Sequence, residues 1–310
     1  MSEETGSLRH ELSALYGIKI HALNMVVDGV NTTFSVGAEE GCFFLRLYRS
    51  IGRSYSDIAF EHQALTEFPN SQHVNVSKPV KDKHGHTVCR VNYKDNLRLA
   101  ALFTSAAGQK PDLRVDVVRL FGTSLACFHQ MMASFEGKTK RHLPDIAHYI
   151  DDINSVKPEI VSELNKGSRL SQLVEREGSF CNRASALQHE QVCHGDAWLG
   201  NIHVDADTVT FFDLDDCGIG SPIYDIATFA WWMLRTKSDP VLFDNFKASY
   251  LRHKRQGELN FDDLPFFIIK NEIRSLAFLV KYNLLDAEML KGAIEGTRMI
   301  LGTYFPILTF

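Results

Sequence analysis

The stretch His194-Gly195-Asp196-Ala197-Trp198-Leu199-Gly200-Asn201, followed by Thr210-Phe211-Phe212-Asp213-Leu214-Asp215-Asp216, constrains this chain more than any other. Asp196 stands five residues before Asn201, and Asp213 twelve residues after it, at the end of an apolar run that reads as a strand. The spacing has a physical reason. One loop must hold a carboxylate at a nucleophile and an amide oxygen at a hard cation a short distance away. A strand then brings a second carboxylate to the same cation. These residues point to phosphoryl transfer. Taken singly, Asp196 and Asp213 could be turn or cap residues, which aspartate favours. With Asn201 in register, that reading loses ground.

His-Gly-Asp-x-x-x-x-Asn, then Phe-Asp-x-Asp with Gly220 and Asp225 downstream, resembles the aminoglycoside phosphotransferase and choline kinase superfamily. That superfamily includes homoserine kinases and a bacterial stress-response Ser/Thr kinase. The two motifs span Val192 to Ala227, and the order of elements fits across most of the chain. The resemblance implies an α+β, protein-kinase-like bilobal fold. It places an antiparallel β-sheet N-lobe with one helix over residues 1–104, a hinge at 105–108, and a mainly α-helical C-lobe with the acceptor pocket over 109–310. It also implies roles. Asp196 receives the hydroxyl proton. Asn201 and Asp213 hold Mg²⁺, with Asp215 a further metal candidate. Arg46, oriented by Glu61, grips the inner phosphates of ATP, and the turn Asp28–Asn31, with Gly29 and Asn31, covers them. His194 would be a structural loop residue. Asp225 would hydrogen-bond back to the catalytic loop, although a carboxylate in a helix's first turn also suits the helix dipole.

Two residues depart from the pattern. Arg46 stands where kinases carry a lysine, so a planar fork replaces a point cation. Trp198 stands where protein kinases usually place a lysine, two residues after the catalytic aspartate. The second departure favours a small-molecule acceptor: a hydroxyl on an amino alcohol, amino acid, sugar or aminoglycoside-like compound. The alternatives are a protein Ser/Thr kinase and a nucleotide-binding pseudokinase scaffold. The scaffold would show a missing base or metal residue, and none is missing.

The flanking sequence supplies the remaining elements. Leu8–Tyr16 suggests a short helix. Ile18 to Val27, Thr32–Val36 and Cys42–Arg49 suggest strands, with turns at Asp28–Asn31 and Glu39–Gly41. Ser54–Phe68 reads as a helix capped by Ser54 or Ser56, with Glu61 in its middle. Val74–Val76, His86–Tyr93 and Leu97–Thr104 are expected to complete one small antiparallel sheet. Beyond Pro111, Val117, Val118, Phe121, Leu125, Phe128 and Met132 form a helical stripe beside His129, which reads as a core or rim histidine. Residues 145–155 give no clear pattern. Pro158–Glu177 reads as one or two helices broken near Gly167, and Phe180–His189 leads into a short strand at 191–193. Ser221-Pro222 opens a helix with a cap and a first-turn proline. Phe229, Trp231, Trp232 and Met233 read as core rather than as an aromatic pocket for a cationic amine. Three more helices follow, over 240–255, 264–282 and 287–305. The apolar runs of the second are broken by Lys270, Asn271, Glu272 and Arg274, and it reads as buried.

A net charge of −5 with no basic tract disfavours nucleic acid. No apolar run reaches the roughly 18 residues of a membrane span. Six scattered cysteines without a C-x-x-C, and a polar, acidic start, suggest free thiols in a reducing cytoplasm. Oligomeric state leaves no mark in the sequence.

Overall fold

The computed structural model describes residues 3–49, 52–187, 190–254 and 259–308. In chain order the elements are α1 (Glu3–Tyr16), β1 (Ile20–Asp28), β2 (Thr32–Ala38), β3 (Gly41–Leu47), α2 (Tyr55–Glu67), β4 (Val74–Val76), β5 (Cys89–Tyr93), β6 (Asn96–Thr104), α3 (Val115–Met132), α4 (Ile146–Val156), α5 (Pro158–Leu164) and α6 (Arg169–Leu187). They continue with β7 (Gln191–Cys193), β8 (Ile202–Asp205), β9 (Thr208–Phe211), β10 (Gly218–Gly220), α7 (Ile223–Arg235), α8 (Pro240–His253), α9 (Leu264–Lys281) and α10 (Ala287–Tyr304). The chain falls into two compact units. The first is Met1–Pro111, Glu136–Lys140 and Ile202–Asp215; the second is Asp112–Phe135, Arg141–Asn201 and Asp216–Phe310.

The first unit is built on an antiparallel sheet in the order β1-β2-β3-β6-β5. Strand β2 alternates buried and half-buried positions, as period-two patterning requires. Phe34, Val36 and Ala38 turn inward to meet Leu8, Leu12 and Tyr16 of α1. Helix α2 opens on a full capping box: the Ser54 hydroxyl accepts from Asp57 N–H, and the Asp57 carboxylate accepts from Ser54 N–H. The hairpin between β5 and β6 turns at Lys94 and Asp95, with φ of 50° and 57°. Strand twist favours that left-handed pair in a two-residue loop.

One expected pairing is wrong. Strand β4 does not join this sheet. It runs parallel to β9 in a separate sheet ordered β4-β9-β8. Val74-Asn75-Val76 is too short to carry a pattern that selects a partner, and its partner lies far along the chain.

In the second unit, α3 buries Val117, Val118, Phe121, Leu125, Phe128 and Met132, the expected stripe. Helix α8 crosses it so closely that a Cβ on Gly122 would stand 2.4 Å from the Phe246 carbonyl oxygen. Phe121, Phe229 and Phe246 form the aromatic centre, with ring centroids 4.7–5.3 Å apart. The stretch that gave no pattern is α4, capped by Asp145 through His148 N–H. Between α5 and α6 the break falls at Gly167, where φ is 72°. Helix α7 begins after Pro222, and Ser221 supplies no side-chain cap to it. The lead-in expected over 180–189 is the end of α6, and residues 188–189 lie outside the described residues. Strand β7 then pairs antiparallel with β10. No helix is long and apolar enough to cross a membrane among the described residues.

Candidate active site

In the first unit, β3 carries Arg46 at the centre of the sheet, flanked by β2 and β6. The guanidinium is buried and uses its fork. Nη1 donates to Glu61 Oε1 at 2.7 Å and Nη2 to Asp213 Oδ1 at 2.8 Å. It also lies over the Phe103 ring, 4.8 Å from the centroid. Glu61, in the middle of α2, is 1% exposed, so it is no solvated helix charge. Burial opposes the charge on Arg46, but Glu61 and then Asp213 hold its pKa well above the ordinary value. Burial and the same guanidinium push neighbouring His62 down to about 3. That ring is therefore neutral, and it bonds Tyr48 and Thr87.

Asp213 follows β9 with φ of 61°, a left-handed conformation that aspartate adopts more readily than most residues. Its side chain stays half exposed. Asp215 differs. Its carboxylate is buried and receives Arg49 at 3.2 Å, Arg53 at 3.0 Å and the Asn31 amide at 3.0 Å. Asn31 in turn accepts from Arg49 N–H at 2.9 Å. Gly29 donates its N–H to the Asn31 carbonyl at 3.2 Å, closing the turn. A Cβ there would meet nothing nearer than 3.4 Å, so local geometry does not demand a glycine.

In the second unit, the loop after β7 carries Asp196 and Asn201. Asn201 Nδ2 donates to the Asp196 carbonyl and to Asp196 Oδ2, both at 2.8 Å. Gly195 precedes Asp196 with φ of 84°, and a Cβ there would stand 2.0 Å from the Asp216 carbonyl oxygen. Gly195→Ala is expected to destabilise this unit by more than about 1 kcal/mol. Thermal denaturation beside wild type measures it; an unchanged midpoint would contradict the packing described.

A buried brace holds the loop from behind. Asp225, in the first turn of α7, accepts from His194 N–H at 2.7 Å and Gly195 N–H at 2.9 Å. His129 Nε2–H donates to Asp225 Oδ2 at 2.9 Å, and its Nδ1 shares a hydrogen bond with the Tyr250 hydroxyl at 2.8 Å. His129, Cys193 and Asp225 cluster closely enough to suggest a metal site. Both ring nitrogens of His129 are in use, however. Burial pushes the Cys193 thiol up, away from the thiolate a metal takes. The cluster is a brace.

Asp196 opens onto a cavity of about 330 Å³ lined by Trp198, Asp216, Thr228, Trp231, Trp232, Arg274, Ser275 and Phe278. The aromatic run of α7 is thus divided. Phe229 and Met233 are core as expected, while the half-buried Trp231 and Trp232 are cavity walls. Trp198 packs on Trp232 with centroids 5.4 Å apart, and Trp231 Nε1–H donates to Glu272 Oε2 at 2.7 Å. The polar residues that interrupt α9 all have partners. Lys270 pairs with Glu177, Asn271 bonds Thr228, Glu272 bonds Trp231 and Thr297, and Arg274 reaches Asp196 and Asp216.

The structure therefore gathers the candidate residues into three groups. Arg46, Glu61 and Asp213 form one and Asn31 and Asp215 another, both in the first unit; Asp196 and Asn201 form the third, in the second unit. Sequence reasoning gave no site role to Arg49, Arg53 or Arg274, and it left Asp216, read as added negative field or a turn cap, without a partner; the structure puts it on the cavity wall beside Arg274. The four polar residues inside one buried apolar helix were the available signal for Arg274.

Among solved structures, an amicoumacin kinase in complex with AMP-PNP and Ca²⁺ superposes with a TM-score of 0.77 at 19% identity, covering 97% of this chain and 94% of that one. A microcompartment-associated aminopropanol kinase gives 0.72 at 22%, covering 94% of each. A choline kinase from Cryptosporidium parvum gives 0.65 at 11%, covering 93% and 91%. These likenesses show the fold, which is protein-kinase-like. In sequence, an uncharacterized protein of Synechocystis is 26% identical over 227 residues, 72% of this chain. The match spans 63% of that relative's own length. An uncharacterized protein of Deinococcus radiodurans is 24% identical over 264 residues, 83% of this chain and 76% of its own. The family model APH, described as the phosphotransferase enzyme family, matches residues 27–259, and the chain belongs to that family.

Proposed function

We propose that the protein is an ATP- and Mg²⁺-dependent kinase that phosphorylates a hydroxyl of a small molecule held in the tryptophan-walled cavity. The observation that carries this reading is the position of Asp196. It lines a cavity sized for a small organic compound, and Asn201, Trp198 and Arg274 fix its carboxylate. Asp196 accepts the proton of the acceptor hydroxyl. The hydroxyl oxygen forms a bond to the γ-phosphorus, the bond from that phosphorus to the β,γ-bridging oxygen breaks, and ADP leaves with the electron pair.

Arg46, oriented by Glu61, holds the inner phosphates, and the turn with Gly29 and Asn31 covers them. Asn201 and Asp213 are the metal ligands in this reading. The donor set suits a hard cation, since it offers an amide oxygen and a half-exposed carboxylate and no thiolate or imidazole. Bound there, Mg²⁺ offsets charge on the phosphates. Arg49, Arg53 and the Asn31 amide all engage Oδ2 of Asp215, and Asp215 stays a further metal candidate in this reading. The nucleotide and divalent cation in the amicoumacin kinase complex support the cofactor assignment. The scattered cysteines, without a C-x-x-C, suit a reducing cytoplasm.

The acceptor faces three indoles, the Phe278 ring and the carboxylates of Asp196 and Asp216, with one guanidinium between them. Such walls suit a compact hydroxylated amine. Screening hydroxyl compounds for acceptor-dependent ATP consumption tests the proposal. Turnover with an amino alcohol, amino acid or sugar is the expected result; radiolabel from ATP on protein substrates alone would overturn it in favour of a protein kinase. Asp213→Ala is expected to weaken MgATP binding at least tenfold in titration calorimetry, and an unaltered isotherm would remove Asp213 from the metal site.

A further inference from the structure

Trp198 leaves the catalytic loop without the lysine that commonly stands two residues after the base. The structure brings a different cation to the same carboxylate. Arg274, from the middle of α9, donates from Nη2 to Asp196 Oδ1 at 2.7 Å. Its Nη1 reaches the Gly195 carbonyl at 3.1 Å and Asp216 Oδ2 at 3.4 Å. The guanidinium is thus fixed by the loop backbone and by both carboxylates that line the cavity. Burial opposes its charge, but Tyr224, Asp196 and Asp216 hold its pKa well above the ordinary value.

The bonds around Asp196 are uneven. Oδ2 receives two donors, Asn201 Nδ2 at 2.8 Å and Trp198 Nε1 at 3.3 Å, whereas Oδ1 receives only Arg274 among the described residues. A carboxylate oxygen has room for about two hydrogen bonds. The remaining acceptor position is therefore on Oδ1, beside the guanidinium. Asp196 and Asp216 also repel one another across one small cavity, and Arg274 offsets that repulsion.

We propose that Arg274 is the positioning residue of the catalytic base: it replaces the missing loop lysine from a distant helix and presents Asp196 Oδ1 to the acceptor hydroxyl. The inference rests on the reading of Asp196 as the base. Lysine at 274 would supply a point charge in place of a fork and could not hold the loop carbonyl and both carboxylates together.

The test is a double-mutant cycle of Arg274→Ala and Asp196→Asn, assayed with MgATP and aminopropanol, choline or water as acceptor, with Arg274→Lys and added guanidinium chloride alongside. Arg274→Ala is expected to lower kcat by about 10²-fold, in line with a misplaced general base, with KM for MgATP unchanged. Arg274→Lys should recover part of the loss, and millimolar guanidinium should raise the alanine variant several-fold. In the Asp196→Asn background, Arg274→Ala should cost nothing further. A crystal structure of Arg274→Ala should show the Asp196 carboxylate rotated from its present orientation. Three results would overturn the inference: additive losses in the cycle, a change confined to acceptor KM, or an unmoved Asp196 in that crystal structure. An inactive Asp196→Asn beside a fully active Arg274→Ala would defeat this inference alone. A fully active Asp196→Asn would instead defeat the assignment of the base.

Discussion

Asp225→Ala is expected to cost about 3–5 kcal/mol of folding stability, enough to lower the melting temperature by roughly 10 °C. The carboxylate is fully buried and accepts three hydrogen bonds, from two loop amides and from His129. Removing it leaves those buried donors without their acceptor, a penalty beyond the bonds themselves. Asparagine should not rescue, because both carboxylate oxygens face N–H donors and an amide nitrogen would oppose one of them. The effect has a pH signature. Burial alone would raise the Asp225 pKa, but the His129 bond and charge, His194 and the loop amide outweigh it and hold it below the ordinary range. A depressed folded-state value means the stabilisation is present above the unfolded value, about pH 4, and is lost as pH falls through the folded one. The gap in melting temperature between wild type and Asp225→Ala should therefore be constant from about pH 5 upward and shrink below about pH 4. A gap that did not narrow in acid would remove Asp225 as an ionised brace.

Much of the fold could be read from the residues, for reasons that differ by element. The stripe of α3, the break at Gly167, the cap at Ser54 and the three last helices are local patterns, and local physics decides them. Strand β4 could not be placed because three residues carry no partner information, and its pairing with β9 joins distant parts of the chain. In the site, linear spacing made the loop with Asp196 and Asn201 visible, and the position of Arg46 before Glu61 did the same for the ion pair. Arg274 is different. Its partner Asp196 lies on another element, so only the tertiary fold relates them. The sole trace in sequence was a group of charges in a helix otherwise fit for burial. Trp231 and Trp232 were read as core for the same reason. An amphipathic pattern tells which side of a helix avoids water, but an emptied core and a filled one share that pattern.

Asp196→Asn is expected to lower kcat by about 10²–10⁴-fold, the range a positioned general base supplies, or roughly 3–5 kcal/mol of barrier at 1.36 kcal/mol per decade. KM for MgATP should hold, since the proposed phosphate and metal contacts come from Arg46, Asn201 and Asp213. Asparagine is the informative substitution. It keeps the size of the side chain and one acceptor oxygen for the donors that now converge on the carboxylate. It removes the charge that draws a proton from a hydroxyl. Stability should fall less than in Asp225→Ala: the new amide nitrogen faces one of the present donors, but the side chain is 30% exposed and the loop is also held through Asp225 and the backbone of His194 and Gly195. A cooperatively folded variant with turnover lost would separate chemistry from folding. If turnover instead survived at the wild-type rate, the hydroxyl proton would have to leave by another route. The three donors around Asp196 would then be explained as a loop brace, and the phosphoryl-transfer reading would rest on the nucleotide-binding groups alone.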